Sequence, residues 1–327
     1  MDIRVKDFDD FKRPSRKPWL ILFILLVGGV LALQHYLPGS RGTSEMPRKK
    51  TKVEKVEKVN KEKPEQTRKA QPRGLEKSPD SSKKSGSDGR RAIDEGTSLE
   101  KQNDLNGARR LYLSALERST DEKVSREAEE RLGLVNIALV MSPREMPEKE
   151  EYNVKQSDSI QKIAKRYGTT AELIEKSNSI TNPARIRMGD RYRILRGKFS
   201  VLVSKSRNDV AVSLDGKFFK RYRCATGKDG STPEGTFVIS YKEKEPVWWK
   251  QNKEIPFGHP DNILGTRWMG LKATGTTPDV KSYGIHGTWD DSSIGKPASA
   301  GCVRMKNPEV EELFVLLPVG TPVTITH

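Results

Sequence analysis

Cysteine and histidine are scarce in this sequence. Its 327 residues hold two cysteines, Cys224 and Cys302, and four histidines, His35, His259, His286 and His327. Two thiols exclude a disulfide-dense scaffold and any centre that needs several thiolates. So few imidazoles, one in an apolar run and one at the C-terminus, exclude a Cys/His metal cluster. Apolar residues are also short, at 34 % of the chain with a mean hydropathy of −0.72, so much of the chain lies outside any packed core. Positive charge is plentiful, with a net charge of +16. Residues 38–91 hold 17 Lys/Arg against 8 Asp/Glu, so nine of the excess charges sit in that one segment. Such charge attracts nucleic acid, anionic lipid or another anionic polymer alike, and is silent about fold.

The chain reads as a series of segments. Trp19 to Leu37 is a 19-residue run without Asp, Glu, Lys or Arg. At about 1.5 Å per helical residue it is just long enough for a bilayer core of about 30 Å. A cleaved signal peptide is the competing reading, but its apolar region is usually shorter and is followed by a small-residue cleavage site, which Leu37-Pro38-Gly39-Ser40 does not supply. Lys12, Arg13, Arg16 and Lys17 crowd the N-terminal flank, against Arg41 alone among residues 38–47. The positive-inside rule therefore predicts a cytoplasmic tail over 1–18, a single-pass anchor over 19–37 and an exported bulk. Residues 38–91, rich in Lys, Glu, Pro and Ser, are expected to be a disordered basic linker. If the segment is exported, nucleic acid is excluded as its partner. Residues 92–140 place Ala108, Leu111, Tyr112, Ala115 and Leu116, then Ala128, Leu132, Val135 and Leu139, at helical spacing. They predict a tetratricopeptide-like helical hairpin, read as a spacer or self-association element because a lone repeat unit buries too little.

Residues 151–195 begin with an alternating Tyr152-Asn153-Val154. A helix capped by Ser157 or Asp158 follows, with Ile160, Ile163 and Ala164 inward, and Gly168 ends it. A second helix carries Leu173 and Ile174, and Arg191 to Leu195 returns as a strand. The ordered set YxV, DS, IAxxYG, TT, LI, N, I and GD in this βααβ unit resembles a LysM domain, placed at 151–196. That resemblance implies binding of the N-acetylglucosamine-containing glycan of peptidoglycan through Ser157, Asp158, Ser159, Asn178 and Ile180, in the loops 157–159 and 178–183. Ser157 stands where the family usually has Gly.

From Phe199 the period drops to two. SVLVS and VAVSL, with Asp215-Gly216 as a tight turn, predict antiparallel strands, and Asn307-Pro308 starts a helix with Val310, Leu313, Phe314 and Leu317 inward. The expected domain, 198–327, is mostly β with a C-terminal helix. Its chemistry concentrates in YGIHGTWDDSSIGKPASAGCVRM, residues 283–305. A thiol is a strong nucleophile once deprotonated, and an imidazole can take its proton and return it to a leaving amine. Cys302 and His286 are the candidates here, flanked by Gly301 and Gly287. Their spacing of sixteen residues alone decides nothing, since a buried Cys and an unrelated His would show it equally.

The string HGT followed by IGxPxSxGCxRM is similar to the L,D-transpeptidase signature, and TGKxGxTPxGxF at 226–237 fits the same family. The resemblance implies that Cys302 is the nucleophile and His286 the proton acceptor and donor. The Gly287 carbonyl would orient the imidazole, and Gly301 would offer a backbone N–H to the oxyanion. Arg304 and Ser299 belong to the motif as substrate-binding candidates; Arg304 pairs with a substrate carboxylate or serves the structure. Trp268 and Tyr283 line the groove or pack the core. Cys224 reads as a buried strand residue, with a disulfide to Cys302 as the alternative. No metal and no cofactor is implied. The expected activity is that of a cysteine acyltransferase at a bacterial inner or cytoplasmic membrane, with its catalytic domain in the periplasm or cell-wall space. It would move peptidoglycan stem peptides to an acceptor amine in 3→3 crosslinks. Water or a protein amine as acceptor, or a non-catalytic wall tether, are the rival readings.

Overall fold

A computed structural model describes residues 79–327, with side chains from residue 87 onward. The tail 1–18, the apolar run 19–37 and the linker up to residue 78 lie outside the described residues. Among the described residues no helix is long and apolar enough to cross a membrane.

The linker boundary expected at residue 91 moves. Helix α1 spans Pro79–Lys101, so residues 79–91 belong to a helix. Their Pro, Gly, Ser and Asp content gives low helix propensity, and packing of Gly89 against Ser119 and Val124 offsets it. A Cβ on Gly96 would stand 2.6 Å from the Tyr112 ring, so only glycine lets α1 lie this close to α2 (Leu105–Arg118). Asp104 caps α2, and Asp121 caps α3 (Glu122–Val140). Three helices therefore stand where the sequence predicted two.

The LysM-like unit follows as β1 (Lys149–Asn153), α4 (Ile160–Tyr167), α5 (Ala171–Ser177) and β2 (Arg191–Leu195), with β1 antiparallel to β2. Tyr152, Val154, Ile160, Ile163, Ala164, Ile174 and Ile194 form its core. Ser159 caps α4, instead of Ser157 or Asp158, and Gly168 ends it at φ 64°.

The last domain starts with a meander of β3 (Phe199–Ser204), β4 (Asp209–Leu214) and β5 (Lys217–Arg223). Asp215 (φ 50°) and Gly216 (φ 76°) are both left-handed, as a two-residue hairpin turn requires. Two-residue β6 (Thr226–Gly227) leads to the long β7 (Gly235–Lys244) and to a small hairpin of β8 (Trp248–Lys250) and β9 (Lys253–Ile255). Then come β10 (Arg267–Ala273), β11 (Gly284–His286), β12 (Pro297–Ser299), β13 (Val303–Arg304), α6 (Asn307–Leu316) and β14 (Pro322–Thr326). Eight strands form one mixed sheet in the order β13-β11-β10-β7-β14-β3-β4-β5.

The three segments are not beads on a string. Buried residues of α1 to α3 and of the sheet, from Tyr112 and Leu132 to Phe219 and Val210, make one continuous core. Helix α3 packs on β5, the last strand of the sheet, and so covers an edge that would otherwise offer unpaired backbone groups. Asn136 fixes this contact: its Nδ2 donates to the Phe219 carbonyl at 2.8 Å, while its Oδ1 accepts from Arg109 Nε at 2.7 Å. Arg221 makes a two-pronged contact with Glu129, both bonds 2.7 Å. The helices thus buttress the sheet, where the sequence predicted a spacer or self-association element. The LysM-like unit is also pinned. Thr170 Oγ1, the cap of α5, donates to the Val315 carbonyl at 2.5 Å near the end of α6, and Glu172 pairs with Lys244.

Removing the Asn136 amide strands a buried carbonyl and a buried guanidinium N–H. Asn136→Ala is expected to cost about 1–3 kcal/mol. A lowered urea midpoint with an unchanged far-UV spectrum checks this, and an unchanged midpoint refutes it.

Candidate active site

Two short strands carry the candidate groups. β11 and β13 pair in parallel, with Ile285 opposite Val303 and His286 opposite Arg304. Cys302 enters β13 directly and is 3 % exposed; His286 is 1 % exposed. The loop before Cys302 is tied from several sides. Ser299 Oγ donates to the Cys302 carbonyl at 2.6 Å and accepts from Gly301 N–H at 3.0 Å. Thr232 Oγ1 donates to the Gly301 carbonyl at 2.7 Å and accepts from Gly227 N–H at 2.7 Å. Gly301 is at φ 144°, and a Cβ there would stand 2.7 Å from the Tyr283 ring. Only glycine fits.

The imidazole is held on two sides. His286 Nδ1 lies 2.6 Å from the Gly287 carbonyl, which can only accept, so Nδ1 carries the hydrogen and Nε2 keeps its lone pair. Gly287 must be small, because a Cβ there would lie 2.1 Å from Asn307 Oδ1. Trp268 stacks on the ring, centroids 5.5 Å apart and planes 22° apart, and its Nε1 donates to Tyr241 Oη at 2.9 Å.

Burial governs the protonation states. It pulls His286 down to about 4, helped by the charge of Arg304 and opposed by the carbonyls of Gly287 and Leu264. It pushes Cys302 up to about 11, against the Gly284 backbone and the Arg304 charge. Trp248, Ile255, Leu264 and Trp268 pack with Cys302 as the apolar wall responsible. The resting pair is therefore a neutral thiol and a neutral imidazole, with the thiol hydrogen directed at the Ser282 carbonyl, 3.7 Å away.

The chain matches the model of the L,D-transpeptidase catalytic domain over residues 198–325 and the LysM domain model over 152–194. YqjB, an L,D-transpeptidase-family protein of Bacillus subtilis, is 50 % identical over 133 residues, which are 40 % of this chain and 73 % of YqjB. The chain belongs to the L,D-transpeptidase family. YkuD of the same family, again from Bacillus subtilis, is 33 % identical over 188 residues, 54 % of this chain and 98 % of YkuD. The Bacillus licheniformis YkuD is 32 % identical over 191 residues, with the same two coverages. The long match to the YkuD proteins reaches beyond the catalytic domain model.

Within this family framework the structure redistributes several expected roles. Cys302 shares an apolar cluster with Trp268, which stacks on His286; the charge of half-buried Arg304 acts on both groups, and Arg304 Nε is buried without a hydrogen-bond partner. Tyr283 borders Gly301 and remains partly exposed, with its hydroxyl 3.4 Å from the Ser231 carbonyl. Three expectations are corrected. Ser299 is 3 % exposed and commits its hydroxyl to two hydrogen bonds within the loop, so it shapes the turn before Cys302 instead of lying open to a ligand. Trp268 is fully buried and supports the imidazole instead of lining a groove. The Gly301 N–H is taken by Ser299, whereas the amide of Cys302 itself has no partner among the described residues.

Cys224 is also a free, fully buried thiol, pushed far above the usual range by burial, so no disulfide links it to Cys302. Among the described residues no cluster could hold a metal ion. In the LysM unit, the Asp158 carboxylate accepts from Tyr152 Oη at 2.6 Å and Lys155 N–H at 2.9 Å, and Ser159 Oγ caps α4. The Asn178 amide binds Ile174 O, Arg193 O and Arg193 N–H. These three side chains are committed to the fold. Exposed Ser157, left-handed at φ 65°, half-exposed Ile180 and the backbone of the two loops remain as the open surface. Sequence reasoning missed Thr232 and Trp248. Thr232 lies in the TPxGxF string, and that position was its only signal.

A neutral thiol near 11 means that about one in ten thousand Cys302 side chains is thiolate at pH 7. Alkylation of Cys302 by iodoacetamide is expected to accelerate about tenfold per pH unit from 7 to 10, with Cys224 inert. A plateau below pH 7, the mark of a preformed thiolate, would contradict the neutral pair.

Proposed function

We propose that this chain acylates Cys302 with a peptidoglycan stem tetrapeptide, releases the terminal D-Ala, and passes the acyl group to an acceptor amine, giving 3→3 crosslinks. The observation that carries the reading is the placement of Cys302 and a His286 fixed as the Nδ1–H tautomer about one side chain, Trp268, with the charge of Arg304 acting on both. His286 Nε2 takes the thiol proton as sulfur attacks the carbonyl of the third stem residue. The Cys302 N–H faces the developing oxyanion, and the Arg304 charge stabilises it or a substrate carboxylate. Collapse of the tetrahedral species breaks the amide bond, and His286 returns the proton to the leaving amine. An acceptor amine then attacks the thioester; His286 takes its proton and restores the thiol.

The buried site favours this order of events. A substrate that displaces water and turns the thiol from Ser282 towards Nε2 couples proton transfer to attack, so no charged pair has to persist in the apolar surroundings. The LysM match supports glycan strands as the second partner. The apolar run 19–37 and the Lys12, Arg13, Arg16 and Lys17 flank before it support a membrane-anchored, exported enzyme.

Incubation of the full-length protein with disaccharide-tetrapeptides, followed by mass spectrometry, tests the reading. A dimer lacking one D-Ala is expected; free tripeptide instead would make water the acceptor. His286→Gln should lower the rate by a factor of about 10²–10⁴ with little change in KM. Absence of both products, with no carbapenem adduct on Cys302, would refute an enzymatic role.

A further inference from the structure

One aromatic side chain breaks the pattern of burial. Trp289 is 56 % exposed, the only aromatic among the large apolar side chains that stand exposed in the described residues. Its backbone is nonetheless held firmly. Gly287 N–H donates to the Arg267 carbonyl at 3.2 Å, Thr288 is buried, and Asp290 N–H donates to Thr288 Oγ1 at 3.1 Å. Phe257 stands beside it, ring centroids 6.1 Å apart and planes tilted by 46°. The two rings come from the two turns that grip His286, since Gly287 supplies one carbonyl at the imidazole and Leu264, in the Phe257 loop, supplies another. A Cβ on Gly265 would lie 2.5 Å from the Gly287 carbonyl carbon, so the two turns are in contact.

A rigidly mounted, solvent-facing indole with a second ring beside it presents a flat apolar surface with a polar surround. The carboxylate of exposed Asp290 uses Oδ1 to hold Ser292 N–H (3.1 Å) and Oγ (2.5 Å), and its other oxygen is open to a hydroxyl. Such a surface suits a pyranose ring, whose C–H face stacks on an aromatic while its hydroxyls bond at the edges. Distance favours the same occupant. Trp289 is three residues beyond His286, so the two Cα atoms are within about 10 Å. A stem peptide likewise spans three residues, about 10 Å when extended, between its sugar and the scissile carbonyl.

Resting on the proposed transpeptidase reading, we propose that Trp289 and Phe257 form a sugar-stacking subsite for the amino-sugar ring that carries the donor stem peptide. This site is separate from the LysM loops. It gives the catalytic domain a preference of its own for glycan-linked over free stem peptides.

The test compares a disaccharide-tetrapeptide with the free tetrapeptide as donors for the full-length protein. Trp289→Ala should lower the ratio of their kcat/KM values about tenfold, and Trp289→Phe, which keeps a ring, should restore most of it. An unchanged ratio in Trp289→Ala would overturn the subsite and leave sugar recognition to the LysM unit. Calorimetry on a Cys302→Ala background supplies a readout independent of turnover, with the affinity advantage of the disaccharide-tetrapeptide expected to fall when Trp289→Ala is added. An advantage that persists overturns the subsite. If wild type turns over neither donor, and carbapenem leaves Cys302 unmodified, the transpeptidase reading fails, and the calorimetric comparison still decides the subsite.

Discussion

The parallel pairing of β11 with β13 is the constraint on which the rest of the site depends. Two parallel strands cannot be joined by a tight turn; they need a crossover of about a dozen residues or more. The sixteen-residue interval from His286 to Cys302 is that crossover, running through a short turn at Asp291–Ser293 and through β12. The pairing sets Cys302 beside the β11 strand that carries His286. The crossover returns through Ser299 and Gly301, and Thr232, from the loop between β6 and β7, meets it there; their hydrogen bonds fix the turn before Cys302. A spacing without meaning along the chain becomes a consequence of topology.

Burial is the second governing effect, and it works against ionisation on both sides. The same apolar wall pushes the thiol up and the imidazole down, so the site rests uncharged apart from Arg304. In that setting the Gly287 carbonyl holds the imidazole where a carboxylate stands in a Ser-His-Asp triad. It selects one tautomer and one ring orientation, and Trp268 stacking prevents the ring from rotating away.

Much of this was legible in the sequence, and the illegible parts share a cause. The β3–β4–β5 meander followed from alternation and from Asp215-Gly216, and the LysM unit from its ordered motif. Cys302 and His286 followed from the strings around them. Helix α1 did not, because Gly89 and Gly96 read as helix breakers until Tyr112 and Ser119 are seen packed against them. The buttressing of β5 by α3 was equally hidden, since Asn136 looks like any polar helix residue until its amide meets Phe219 and Arg109. Ser299, Trp268 and Asn178 sit in or near motif positions, yet their polar groups are consumed by the fold. A motif locates a residue. Only its partners assign it work.

The most direct measurement of the central claim is intact-protein mass spectrometry of the full-length enzyme quenched in acid within its first turnover of a stem tetrapeptide. The account predicts a covalent adduct equal to the donor less D-Ala, mapped by peptide digestion to Cys302 and absent from Cys302→Ala. Product formation without an adduct at Cys302, or with the adduct on another residue, would contradict it.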